Sequence, residues 1–301
     1  MKKWIKAARL RTLPLSISGI LVGSAAAYNE YHSQDNYCII VGLCFLGTLF
    51  FQVLSNYAND YGDAVKGTDN EHRVGPKRAV QTGEISKKEM KNAIIITSVL
   101  ALITSFAIIY SSFGNDNFVS AIIYLVLAIG CITAAIKYTV GNSAYGYRGL
   151  GDLFVFIFFG LVSTLGTYFL FGHSLDFKLL FPASAIGLLS VAVLNMNNMR
   201  DVENDALMNK NTLVVKMGFQ KAKHYHFWLV LLAVVAINIY AIKVFTNWYQ
   251  FIYILGFVPL LKNISVVTKT SVPRLLDPEL KRLALATFLI SLLLSFALII
   301  K

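Results

Sequence analysis

The sequence predicts an all-α fold, a polytopic bundle of nine membrane-spanning helices, and three observations lead there. Hydrophobic residues make up 56% of the 301-residue chain and charged residues only 14%, against about a quarter charged in ordinary soluble domains. The mean hydropathy is +0.61. The apolar residues also gather into nine runs separated by polar connections, and their abundance excludes a disordered chain. A multi-span bundle of this length reads as one unit, so a single integral membrane domain is expected over residues 1–301.

Each run is judged against a hydrocarbon core of about 30 Å, which takes roughly 17–25 helical residues. Leu13–Tyr28 is the first. The Met1-Lys2-Lys3-Trp4 start has no small-residue cleavage site after it, so a signal peptide is not expected. Tyr37–Leu54, Ala93–Tyr110, Phe118–Ile136, Leu153–Phe171, Leu179–Leu194 and Phe227–Ile242 follow, and flanking polar or aromatic residues extend most of them by snorkelling. The eighth run, Trp248–Leu261, is short and contains Pro259. It is expected to continue through Asn263–Val267 past a kink, because neighbouring helices satisfy the backbone groups that Pro frees. Leu283–Ile300 is the ninth. Trp4, Trp228 and Trp248 sit at run ends, as an aromatic belt requires. His224 and His226, just before the seventh run, are expected at the interface. Cys38, Cys44 and Cys131 fall inside apolar runs without disulfide or metal-ligand spacing, so apolar packing is their expected role.

The net charge of +11 comes from 27 Lys and Arg against 16 Asp and Glu. Of those 27, 24 lie in the N-terminus and the connections after the second, fourth, sixth and eighth runs. The other side holds only Lys178, Lys243 and Lys301. The positive-inside rule therefore places the N-terminus in the cytoplasm and the C-terminus outside a cell membrane. No dense basic stripe with interleaved aromatics appears, so nucleic acid is not an expected partner. Gly146-x-x-Gly149-x-Gly151 follows no strand and is not a dinucleotide fingerprint.

Two polar clusters carry the chemistry, both on the predicted cytoplasmic side. If the second run continues as a helix, Asn56, Asn59, Asp60 and Asp63 recur at i, i+3, i+4 and i+7 and share one face. Asn198, Asp201 and Asp205 are expected to share a face at the end of the sixth run. Two helix ends with carboxylates one turn apart suit Mg²⁺, which takes oxygen ligands and leaves room for substrate phosphates. Basic residues lie near both: Arg9 and Arg11, Arg73, Lys77 and Arg78, and Lys137 and Arg148. Cations that pair with phosphate oxygens, beside a lipid-facing bundle, point to a diphosphate with a long apolar tail.

Asn59-Asp60-x-x-Asp63 with the later Asp201-x-x-x-Asp205 resembles the paired Asp-rich motifs of the UbiA superfamily of intramembrane prenyltransferases. Further segments resemble its branch that prenylates 1,4-dihydroxy-2-naphthoate in menaquinone synthesis. They are Ala8 to Pro14, Lys66-Gly67-Thr68-Asp69, Gly75 to Gly83, Tyr145 to Phe156, and Asn197 to Asp201. The resemblance is dense over residues 7–220. Two positions depart from the family pattern. Asn209 stands where Gly is usual, in a left-handed turn that Asn also tolerates, and Gly67 takes the place of a third carboxylate, with Asp69 two residues on.

This resemblance implies nine spans around a cavity open to lipid, with a polar cap on the cytoplasmic side. It implies Mg²⁺ held by Asn59, Asp60, Asp63, Asp201 and Asp205. Asp60, Asp63, Asp201, Asp205 and Tyr138 would serve catalysis, with Tyr138 facing the reacting carbon. Arg9, Asn56, Lys77, Arg78, Lys137, Arg148 and Asn198 would bind the substrates, a polyprenyl diphosphate and an aromatic acid. In the naphthoate branch the acceptor loses its carboxylate as CO₂. The alternative acceptors are 4-hydroxybenzoate and homogentisate. An ion-coupled transporter is the alternative from another class, but it would place charged groups near the membrane midplane, and no charge interrupts the middle of any run here.

Overall fold

The structure is a computed structural model that describes residues 1–70 and 73–300. Lys301, counted above on the outer side, lies outside the described residues. Nine helices are long and apolar enough to cross a membrane, and no strand occurs among the described residues. They run Lys2–Tyr31, Tyr37–Lys66, Lys87–Phe113, Phe118–Lys137, Gly151–Gly172, Phe177–Arg200, Phe219–Val244, Trp248–Lys269 and Pro273–Ile299. Each contains its predicted run, or all but a residue or two of it, and most extend beyond it into polar sequence. As expected, the eighth passes through Pro259, as a 3₁₀ segment (Trp248–Gly256) followed by an α-helix (Phe257–Lys269).

The first span packs on the second, fifth and ninth, and the sixth packs on the fifth, seventh and ninth. Glycines set the closest of these contacts. A Cβ on Gly160 would lie 2.6 Å from the Ala183 carbonyl oxygen and from Gly187 Cα, so only glycine lets the fifth and sixth spans approach this far. The fifth span also holds a π-helical stretch, Phe156–Gly166, which its hydropathy did not signal. Wider winding of this kind concentrates at functional sites, and Phe158, Phe159 and Val162 on this stretch line the central cavity. Tyr124 of the fourth span donates to the Gly166 carbonyl of the fifth at 2.7 Å, and Tyr145, in the connection between these spans, stacks on Phe154 at 4.0 Å.

His226, near the start of the seventh span, is buried, with its Nε2 2.9 Å from Asn263 Oδ1, and Asn263 in turn donates to Glu279 at 3.0 Å. Three helices are tied together by this polar relay, which is why a histidine is tolerated inside the bundle. One expectation is corrected: the sixth span ends at Arg200, one residue short of Asp201, so Asp201 and Asp205 do not continue the face of Asn198. A separate short helix, Val202–Leu207, carries Asp205. Cys44 is buried and Cys131 half-buried, both on the cavity wall, while Cys38 is exposed.

Candidate active site

At the polar end of the bundle the second span runs on as a helix to Lys66 and stops at Gly67, whose φ of 75° is the left-handed C-cap that glycine adopts without strain. This extension delivers Asn56, Asp60 and Asp63 to one buried face. Asp60 is 1% exposed and is held between two arginines, Arg9 and Arg78, the latter at 2.9 Å. Arg9 reaches it because the N-terminal helix Lys2–Ala8 breaks there, with φ 47° at Arg9. Lys3 and Lys6 pin that helix to Glu89 and Glu84 across the surface.

Asp63 has a different partner: it accepts a hydrogen bond from the Tyr147 hydroxyl at 2.8 Å. Tyr147 also contacts the Thr68 hydroxyl at 2.5 Å and carries the Lys66 ammonium 3.8 Å from its ring centroid. Burial and the Asp63 charge push the Tyr147 phenol well above its usual range, so it stays a donor. Asp69 is buried beside Arg73 at 3.2 Å and Arg78 at 3.8 Å. Burial first, and then the Asp63 charge, push its carboxyl up to about 7.

The second cluster meets the first from across the bundle. The Arg200 side chain grips Asp201 with both ends, Nε to Oδ1 at 3.0 Å and Nη2 to Oδ2 at 2.6 Å. It also reaches Asn197 Oδ1 at 3.0 Å and Asp277 at 2.7 Å. The Asp205 N–H bonds the Asp201 carbonyl at 2.8 Å, so the two carboxylates keep one-turn spacing despite the helix break. Burial pushes Asp205 up to about 6, with Lys210 at 3.4 Å opposing and Asp201 and Asp63 adding to it. Asn209 takes the left-handed turn expected of it, with φ 54°, and Lys210 N–H closes that turn on the Asp205 carbonyl at 2.8 Å. Burial lowers the Lys210 pKa, but Asp63, Asp205 and Asp201 outweigh it and leave the net shift upward. Asn204 donates to the Thr68 carbonyl at 3.0 Å and ties the two motifs together.

The electrostatics therefore centre on Asp63, which acts on Asp69 of its own motif and on Asp205 of the other. Among the described residues no three Asp, Glu, His or Cys side chains form a ready-made metal cage. The donor set nevertheless fits a hard divalent cation. Both Asp69 oxygens and Asp205 Oδ2 are buried without a hydrogen bond, and crowded carboxylates are what such an ion relieves.

Beneath the carboxylates lies a largely apolar cavity of about 390 Å³. Asn56, Asn59 and Tyr138 line it at the carboxylate end, and Ile109, Tyr124 and Leu170 at the far end. Tyr138 packs edge-on against Tyr145 at 5.3 Å. Burial, then the nearby carboxylates, raise its phenol far above the usual range.

The structure brings together Arg9, Asn56, Asn59, Asp60, Asp63, Arg78, Asp201 and Asp205, with Tyr138 below them. Asn198 is buried on the sixth span. Lys77, Lys137 and Arg148 are exposed and make no ion pair among the described residues. Sequence reasoning missed Arg200, Lys210, Tyr147 and Asn204. Arg200 and Tyr147 lay inside segments that carried the family resemblance, Asn197 to Asp201 and Tyr145 to Phe156, without a role assigned to either.

The UbiA prenyltransferase family pattern matches residues 16–275. The 1,4-dihydroxy-2-naphthoate octaprenyltransferase of Haemophilus influenzae is 40% identical over 300 residues, covering 100% of this chain and 96% of that protein. The protein of the same name in Escherichia coli is 39% identical, over 96% of this chain and 92% of its own. That of Mycobacterium tuberculosis is 33% identical over 82% and 80%. Among solved structures, a UbiA homolog from Archaeoglobus fulgidus bound to GPP and Mg²⁺ superposes with a TM-score of 0.63 at 17% identity, over 99% of this chain and 100% of that one.

Proposed function

This chain belongs to the UbiA prenyltransferase family, and from that premise we propose that it transfers a polyprenyl group from a polyprenyl diphosphate to 1,4-dihydroxy-2-naphthoate, with loss of the acceptor carboxylate, in menaquinone biosynthesis. The observation that carries this reading is the pairing of full-length relatives of that activity with a site in which buried carboxylates and arginines cap an apolar cavity. The whole chain acts as one domain.

Asn59, Asp60, Asp63, Asp201 and Asp205 would hold Mg²⁺, with Asp69 beside them. When bound, the metal supplies Lewis-acid neutralisation of the leaving diphosphate. The chain's own residues do the rest. Arg9, Arg78, Arg73 and Arg200, now paired with carboxylates, offer their guanidinium groups to phosphate oxygens as charge develops there. The bond from the allylic carbon to the diphosphate oxygen breaks as the ring carbon bearing the carboxylate bonds to that carbon. The ring's electrons return as CO₂ leaves. Tyr138 stays protonated and, with Tyr145 and Phe154, offers aromatic faces to the positive allylic carbon. The apolar wall excludes the water that would quench it.

The acceptor assignment has a direct test. Purified protein supplied with a polyprenyl diphosphate, Mg²⁺ and a panel of aromatic acids should prenylate 1,4-dihydroxy-2-naphthoate with one CO₂ released per product. 4-Hydroxybenzoate, attacked beside its hydroxyl, would keep its carboxylate and should be a poor substrate. A naphthoate product that retains its carboxylate by mass overturns the assignment and leaves prenyl transfer standing.

The charge asymmetry further supports a cytoplasmic site. In a cysteine-free background, single cysteines at the exposed positions Lys77 and Lys221 should react with an impermeant thiol reagent only after the cell is opened. Labelling in sealed cells would reverse the orientation.

A further inference from the structure

One wall of the cavity differs from the rest. Thr48, Gln52, Ser55 and Asn59 succeed one another on the second span at i, i+4, i+7 and i+11, and all four line the cavity. They make a polar stripe about 16 Å long that descends from the carboxylates into apolar surroundings. Ser16 of the first span adds to it: its hydroxyl donates to Gln52 Oε1 at 2.5 Å, and Gln52 Nε2 donates to Thr12 Oγ1 at 2.9 Å. This relay fixes the Gln52 amide while leaving it a second N–H and a further lone pair.

Other hydroxyls around the cavity are engaged with backbone. Ser105 donates to the Ala101 carbonyl, Ser163 to Phe159, Thr167 to Ser163, and Tyr145 to Ala134. The hydroxyls of Thr48 and Ser55, and that of Tyr138 at the same end of the cavity, make no hydrogen bond among the described residues. A prenyl tail has nothing to offer such groups, and covering them with hydrocarbon costs free energy. The diphosphate is provided for at the carboxylates. What remains is the second substrate, a flat ring carrying oxygens, which needs hydrogen-bonding groups on one side and aromatic faces such as Tyr138 and Tyr145 to stack on.

Resting on the prenyl-transfer reading above, we propose that Ser55 and Gln52, the latter oriented by Ser16, hydrogen-bond the ring oxygens of the aromatic acceptor and determine which acceptor is used. The part of the stripe below Asn59 is then the acceptor subsite, and the apolar remainder of the cavity holds the tail.

The test separates the two substrates. For the purified wild type, Ser55→Ala, Ser55→Thr and Gln52→Leu, KM is measured for 1,4-dihydroxy-2-naphthoate and for the polyprenyl diphosphate, together with the thermal unfolding midpoint. Loss of one hydrogen bond should raise the acceptor KM about three- to ten-fold in Ser55→Ala and in Gln52→Leu. The diphosphate KM should stay within about two-fold, and Ser55→Thr, which keeps the hydroxyl, should behave as wild type. Should Gln52→Leu unfold early through loss of its tie to the first span, Ser55→Ala, which removes a single oxygen, decides. An unchanged acceptor KM in Ser55→Ala, or equal rises for both substrates, overturns the proposal. A wild type that prenylates no aromatic acid overturns the underlying reading first, before any variant is compared.

Discussion

Asp63→Asn should lower turnover by at least about 10²-fold, the low end for removing a positioned electrostatic group from a site that excludes water. The reason lies in its place among the carboxylates. Asp60 already sits between Arg9 and Arg78, and Asp201 is gripped on both oxygens by Arg200. Asp63 makes no ion pair among the described residues, only the hydrogen bond from Tyr147. Its charge nevertheless reaches Asp69, Asp205 and Lys210, so it is the carboxylate both motifs share. Asparagine keeps the size and still accepts from Tyr147, so the fold should survive and the loss should appear in kcat. Asp277→Asn is the matched control: Asp277 is half-exposed and, among the described residues, touches the site only through Arg200, and its effect should be far smaller. Near-normal kcat in Asp63→Asn, with an unchanged unfolding midpoint, would remove Asp63 from the site.

Chelation should abolish turnover, and added Mg²⁺ should restore it. Buried carboxylates, with three of their oxygens lacking a hydrogen bond, leave the diphosphate facing like charge unless a divalent cation intervenes. The folded state should not share this dependence. Without metal the acids are already held by Arg9, Arg73, Arg78, Arg200 and Lys210. EDTA should therefore leave the unfolding midpoint unchanged while activity disappears. Full activity in EDTA, with trace metal excluded, would rule out a metal-assisted departure of the diphosphate.

The sequence was most legible where one residue type acts through a simple period or count. The nine spans follow from run length against bilayer thickness, and the continuation past Pro259 from the tolerance of membrane helices for proline. The left-handed turn at Asn209 was legible for a local reason, the few residues that accept positive φ. The facing of Asn56, Asn59, Asp60 and Asp63 came directly from helical spacing. The second motif was less legible, because the break at Arg200 leaves no mark in the spacing of Asp201 and Asp205. The π-helical winding of Phe156–Gly166 was invisible for a similar reason: an all-apolar segment carries no period to betray an altered turn. The burial of His226 was not legible because its partner, Asn263, lies 37 residues away.

By itself, then, the sequence determined the solvent, the number of crossings, the asymmetry of charge and the two acidic clusters proposed as the site, since each depends on composition or on neighbours a few positions apart. Only the tertiary structure decided how that charge is balanced. Arg9 with Asp60, Tyr147 with Asp63 and Asn204 with the Thr68 carbonyl are contacts across 51, 84 and 136 residues. Lys77, Lys137 and Arg148 had as strong a sequence claim as Arg9 or Arg78, yet they are exposed and pair with no carboxylate among the described residues. The physical reason is that a Coulomb interaction depends on separation and burial in space, and folding sets both through packing that no local spacing encodes.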